Sequence, residues 1–97
     1  MTRVPIFRRE AEAEALEARR WYEGRRLGLG DEFGAAVDAT VARMVERPVA
    51  FPRIRGETRR AVLTSFPYAL YFRITEESIV VLAVHGRQNP SRWQRRA

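Results

Sequence analysis

The side chains best suited to chemistry lie near the end of the chain, where a histidine is followed by several arginines. His85 is the only histidine of the 97 residues, and Arg87, Arg92 and Trp93 follow it in a polar segment. An imidazole exchanges protons near neutral pH and can act as a general acid or base. Guanidinium groups hold phosphates or carboxylates through paired hydrogen bonds. The segment therefore predicts a catalytic site, a surface for an anionic partner, or only the solvated end of a small sheet.

The net charge of +6 belongs to the same half of the chain. Residues 1–50 contain nine Arg and nine Asp or Glu, whereas residues 51–97 contain nine Arg and three Glu. An electropositive surface attracts phosphates or an acidic protein. We therefore expect any anionic partner to bind the second half, the alternative being a solvated sheet face with no such partner.

Length and composition restrict the class of protein. Ninety-seven residues are enough for one hydrophobic core, so we expect a single domain over residues 1–97. Cysteine is absent, which excludes disulfides and thiolate metal sites. The longest unbroken apolar run, residues 79–84, is too short to span a bilayer. These features predict a cytoplasmic protein with no membrane segment, no metal site and no cofactor.

The first half reads as one strand and two helices. Residues 3–7 predict a short strand, and Pro5 indicates an edge position. Residues 10–26 are rich in Ala, Glu and Arg and predict a helix, which Gly28 and Gly30 end. Residues 31–46 predict a second helix with one apolar stripe. The short connection makes the two helices an antiparallel hairpin.

The second half predicts a loop and three strands. Residues 48–57 contain two prolines and Gly56 and are expected to be irregular. "TRRAVLTS", "ALYFRIT" and "SIVVLAVH" each predict a strand, the last one central and buried on both faces. Arg59 and Arg60 are neighbours on a strand and should point to opposite faces. The predicted fold is α+β, in the order β-α-α-β-β-β, with the helical hairpin on one face of a small, largely antiparallel sheet.

With the elements in place, the chain resembles the RelE/ParE superfamily of toxins from type II toxin–antitoxin systems. "WYEGRRLGLGDEF" is similar to the helix–turn–helix junction of that family. "RRAVLTSFPYALYFRI" is similar to its arginine-bearing strand and the Phe-Pro-Tyr entry into the next strand. "VLAVHGRQNPSRW" is similar to its histidine–glycine–arginine ending. The resemblance covers nearly the whole chain and implies the same fold.

The resemblance implies two alternative activities. ParE-like members inhibit DNA gyrase, and hence replication, by binding, whereas RelE-like members are ribosome-dependent endoribonucleases that cut mRNA. Both kinds are neutralised by a cognate antitoxin in a hetero-oligomer. A third alternative is a degenerate member that binds its antitoxin without being toxic.

The residues favour the ParE-like alternative. In a ribonuclease, His85 would transfer a proton while Arg60, Arg73 and Arg87 stabilise the phosphorane. The RelE pattern also has an arginine after the strand-entering tyrosine and a tyrosine near the end, but here Ala69 follows Tyr68 and no tyrosine follows Tyr71. We therefore assign no catalytic residue and expect His85 to be structural. The predicted target or partner contacts are Arg59, Arg60, Arg73, Arg87, Arg92 and Trp93.

Overall fold

The computed structural model describes residues 2–86 as two helices packed on one face of a five-stranded mixed sheet. The helices are α1 (Arg9–Arg25) and α2 (Leu29–Glu46). The strands are β1 (Val4–Phe7), β2 (Arg53–Arg55), β3 (Thr58–Val62), β4 (Tyr68–Ile74) and β5 (Ser78–Gly86). Within residues 2–86, no helix is both long and apolar enough to cross a bilayer.

The spatial order of the strands is β1-β5-β4-β3-β2. β1 pairs with β5 in parallel, and the other three pairings are antiparallel. The apolar strand β5 lies inside the sheet between β1 and β4, as its sequence predicts. β1 lies at the edge of the sheet. Pro5 is tolerated there because proline has no backbone N–H to donate to a neighbouring strand. The predicted α+β class, the helical hairpin on one face and the largely antiparallel sheet are confirmed.

The predicted order β-α-α-β-β-β omits one strand. Residues 48–57 are not an irregular loop, because they contain a single 3-10 turn at Pro48–Ala50 and the edge strand β2. Gly56 adopts a φ of 53°, which permits the tight turn from β2 into β3. The backbone N–H of Arg60 donates to the Pro52 carbonyl at 3.1 Å. A strand of three residues is too short to show a period of two, so tertiary pairing rather than local pattern creates it.

The join between the helices depends on one carboxylate. Gly28 has a φ of 90° and precedes α2, whose first N–H groups have no partner within the helix. The Glu23 carboxylate accepts hydrogen bonds from the N–H groups of Gly28 and Gly30 at 2.9–3.1 Å. The G-x-G sequence therefore serves a helix junction, because a carboxylate of α1 already occupies the donors that could face a phosphate.

The main core lies between the helices and the sheet. It includes Phe33 and Met44 of α2 together with Leu70, Phe72 and Val81 of the sheet. One end of this core is aromatic, since Tyr22 stacks on Phe33 at 5.2 Å and both rings meet Phe66 edge-on. A smaller cluster on the opposite face consists of Ala69, Tyr71 and Ala83, with Ile54 packed against it.

Candidate functional site

His85 lies inside the molecule, as the penultimate residue of β5. Only 3% of its side chain is exposed. Its Nε2 lies 2.5 Å from Oε2 of Glu14, a residue of α1 that is 71 positions earlier in the chain. The His85 ring nitrogen and the Glu14 carboxylate share this one hydrogen bond. The contact joins the first helix to the end of an interior strand.

Glu14 also completes the edge of the sheet. β1 ends at Phe7, whose partner in β5 is Val81, so β5 continues beyond its parallel neighbour. In that continuation the Val84 N–H donates to Oε1 of Glu14 at 3.0 Å. One carboxylate thus replaces a missing strand partner and holds His85 as well. Sequence analysis missed Glu14, because it is one of five glutamates of α1, a helix whose charges otherwise suit the helix dipole.

A cleft of about 340 Å³ opens beside this pair, between α1 and the adjacent ends of β4 and β5. Its walls carry both carboxylates and aromatic rings. They consist of Glu14, Glu17, Ala18, Trp21, Tyr22, Pro67, Tyr68, Val84, His85 and Gly86.

Trp21 and Tyr22 give this cleft an aromatic wall. Trp21 is 54% exposed, and the Arg25 guanidinium lies 4.7 Å from the centre of its ring. Burial raises the pKa of the Tyr22 phenol above its ordinary value, and the neighbouring Tyr68 raises it further. The Tyr22 hydroxyl therefore stays neutral at physiological pH and is not a general base there.

Two of the predicted site arginines lie on the same face as His85. Arg60 is opposite Tyr71 in the β3–β4 register, and Arg73 is two residues from Tyr71 on β4. Ala69, two residues to the other side, is opposite His85. Side chains of one strand alternate between faces, so these residues share the face of the sheet that points away from the helices. We call it the outer face.

Arg59 is not on that face. It shares the helix side with Ala61, and its Nη1 donates to the Phe51 carbonyl at 2.6 Å. Arg59 and Arg60 thus point to opposite faces, as predicted, and Arg59 holds the segment before β2 against β3. Arg87, Arg92 and Trp93 lie outside the described residues. Within residues 2–86, no group of three His, Asp or Glu side chains is arranged to hold a metal ion.

The surroundings of His85 limit its chemistry. A general base must reach the proton that it removes, directly or through one water. The Nε2 of His85 faces Glu14, and the ring is almost fully enclosed. A histidine with a carboxylate partner can still form a proton-transfer dyad, and Arg60 and Arg73 supply cations on the same face. The geometry therefore gives His85 a carboxylate partner and places two arginines on the same face of the sheet.

Comparison with known proteins gives a match on sequence and a match on structure. No known family profile matches this chain. The chain is 39% identical over 56 residues to "Toxin ParE2" of Mycobacterium tuberculosis, from both strain CDC 1551 / Oshkosh and strain ATCC 25618 / H37Rv. The match covers 57% of this chain and 53% of those proteins, so it spans about half the length of the curated relatives.

The fold is similar to that of a chain in the solved "Chromosomal ParDE TA system from P. aeruginosa". The TM-score is 0.61 at 20% sequence identity, and the match covers 87% of this chain and 95% of that chain. A sequence identity of 20% supports similarity of the fold alone. The sequence similarity to ParE2 confirms the predicted resemblance to the RelE/ParE superfamily on its ParE-like side, and the structural match concerns the fold alone.

Proposed function

We propose that this protein is a ParE-like toxin of a type II toxin–antitoxin system, that it inhibits DNA gyrase by binding, and that a cognate antitoxin neutralises it. The observation that carries the proposal is the enclosure of His85. The one imidazole of the chain is 3% exposed and faces a glutamate of α1. This geometry supports a role in holding helix and sheet together, as expected of a toxin that works by binding rather than by cleavage.

The similarity to "Toxin ParE2", which covers 57% of this chain, supports the proposal of a ParE-like toxin. Target contacts are proposed for Arg60 and Arg73 on the outer face, and for Arg87, Arg92 and Trp93 beyond the described residues. Arg59 contributes indirectly by fixing the segment before β2. The proposed site of action is the cytoplasm, where gyrase and its DNA are found.

Pulse labelling tests the target. The chain is induced in bacteria without its antitoxin, and the incorporation of labelled thymidine and methionine is followed over the first minutes. We expect thymidine incorporation to collapse first, because inhibited gyrase stops replication before translation. An early collapse of methionine incorporation instead would identify translation as the target.

The second candidate function is a RelE-like endoribonuclease acting on mRNA in the ribosome. The Glu14–His85 pair favours it, because a carboxylate that orients an imidazole is a common arrangement for proton transfer. Substitution separates the two functions. His85→Ala in a ribonuclease abolishes toxicity at any stability, whereas in a gyrase inhibitor toxicity falls only as far as the folded fraction falls.

A further inference from the structure

Within residues 2–86, some arginines have an acidic partner and others do not. Arg19 pairs with Asp31 and Arg26 with Glu32 across the helical hairpin. In the β2–β3 hairpin the acidic side chain is Glu57, which lies 3.6 Å from Arg53. The guanidinium groups of Arg55 and Arg60 form no ion pair or hydrogen bond with any residue between 2 and 86. Both side chains are exposed.

The register places these two arginines on the outer face at a defined spacing. Arg55 follows a β-bulge in β2 and is opposite Thr58, and Arg60 is two residues beyond Thr58 on β3. Such diagonal neighbours in an antiparallel pair are about 7–8 Å apart. Val62 continues the row on the same face and is 36% exposed. We call Arg55, Arg60 and Val62 the arginine row.

This spacing matches an extended peptide. Alternate residues of a strand point to the same side and are separated by about 6.6–6.8 Å. Two carboxylates at alternate positions of an extended segment can therefore meet both guanidinium groups, each in a bidentate contact. The next alternate position reaches Val62 and suits an apolar side chain.

We propose that the arginine row binds an extended acidic segment of the antitoxin, with two carboxylates at alternate positions followed by an apolar residue. This inference rests on the proposed function, since it names the surface that the neutralising partner uses. Charge complementarity selects the row over the helical hairpin, where residues 9–46 contain six Arg and nine Asp or Glu and so repel an acidic segment. An apolar residue within the row favours a peptide over a nucleic acid backbone, which carries phosphates throughout.

The test uses the whole chain and, as probe, the purified product of the reading frame directly upstream of its gene. Binding is measured by calorimetry at 50 and 300 mM NaCl for the wild type, for Arg55→Glu/Arg60→Glu, and for the matched control Arg9→Glu/Arg20→Glu. Both control residues are exposed arginines of α1, so net charge changes equally. Circular dichroism melting confirms that all three chains fold, and Arg55→Gln/Arg60→Gln replaces the reversal if it does not.

We expect the row variant to weaken binding at least about 30-fold at 50 mM NaCl, and the control to weaken it less than about threefold. The affinity of the wild type should also fall more steeply with salt than that of the row variant. Equal affinities for the row variant and the control would overturn the proposal and leave the proposed function standing. If the row variant instead loses binding to RNA or DNA while its affinity for the upstream product is unchanged, the row binds nucleic acid. That result would also overturn the proposal. If the wild type neither binds that product nor arrests growth, the proposed function itself fails.

Discussion

The helical hairpin and the sheet use their arginines differently. In the hairpin, arginines lie among a majority of carboxylates, and ion pairs such as Arg19–Asp31 connect the two helices. In residues 47–86, six Arg face only three Glu. The hairpin thus carries a surplus of carboxylates, whereas residues 47–86 carry a surplus of arginine. The net charge of each region is therefore informative only together with the ion pairs that its side chains form.

The largest effect is expected where the two regions meet. Phe33 of α2 is buried and contacts the rings of Tyr22, Phe66 and Tyr68. Phe33→Ala should lower the free energy of unfolding by about 3–5 kcal/mol, because it opens a cavity in this cluster. Urea unfolding measures the change, with Leu27→Ala, at an 88% exposed site, as the control. A loss below about 1 kcal/mol would show that hairpin and sheet are not joined there.

The next largest effect is expected at Glu14, the carboxylate of α1 that contacts β5. Glu14→Ala leaves His85 and the Val84 N–H without this acceptor and should cost about 2–3 kcal/mol. Thermal unfolding should show a fall of about 10–20 °C in Tm. Glu17→Ala, on the same helix and exposed, is the matched control and should change Tm little. An equal fall in Tm for the two variants would show that the Glu14–His85 contact does not stabilise the fold.

A smaller, pH-dependent effect follows from Tyr22. Burial and Tyr68 raise the pKa of its phenol in the folded state, so the unfolded chain loses this proton first as pH rises. The folded state then holds more protons than the unfolded state, and the contribution, complete below pH about 10, is lost at higher pH. Unfolding followed from pH 8 to 11.5 should show a steeper alkaline loss for the wild type than for Tyr22→Phe. Equal slopes of stability against pH for the two proteins would show that the Tyr22 phenol does not cause the alkaline loss.

The smallest effect is expected at the exposed ion pairs of the hairpin. Arg19 and Asp31 are 50% and 81% exposed, and water screens their attraction. Asp31→Asn should therefore change the free energy of unfolding by about 0.5 kcal/mol or less, with a further decrease in 0.5 M NaCl. A change above about 1.5 kcal/mol would show that this ion pair contributes substantially to the stability of the fold.

The sequence predicts the parts of this molecule that depend on local pattern. Both helices, the edge position of β1 and the interior position of β5 follow from periodicity, Pro5 and an apolar run. β2 was missed because three residues show no period and its existence depends on pairing with β3. The partners of His85 could not be predicted, because Glu14 is 71 positions away and no spacing rule connects them. The opposite faces of Arg59 and Arg60 were predicted, but the internal role of Arg59 depends on carbonyls that only the folded chain brings near.

Inhibition of gyrase is measured by a supercoiling assay with purified DNA gyrase, run beside an mRNA cleavage assay on purified ribosomes. We expect the wild-type chain to inhibit supercoiling in proportion to its concentration and to leave mRNA intact, and folded His85→Ala to behave in the same way. Site-specific mRNA cleavage that disappears in folded His85→Ala, with gyrase unaffected, would contradict it.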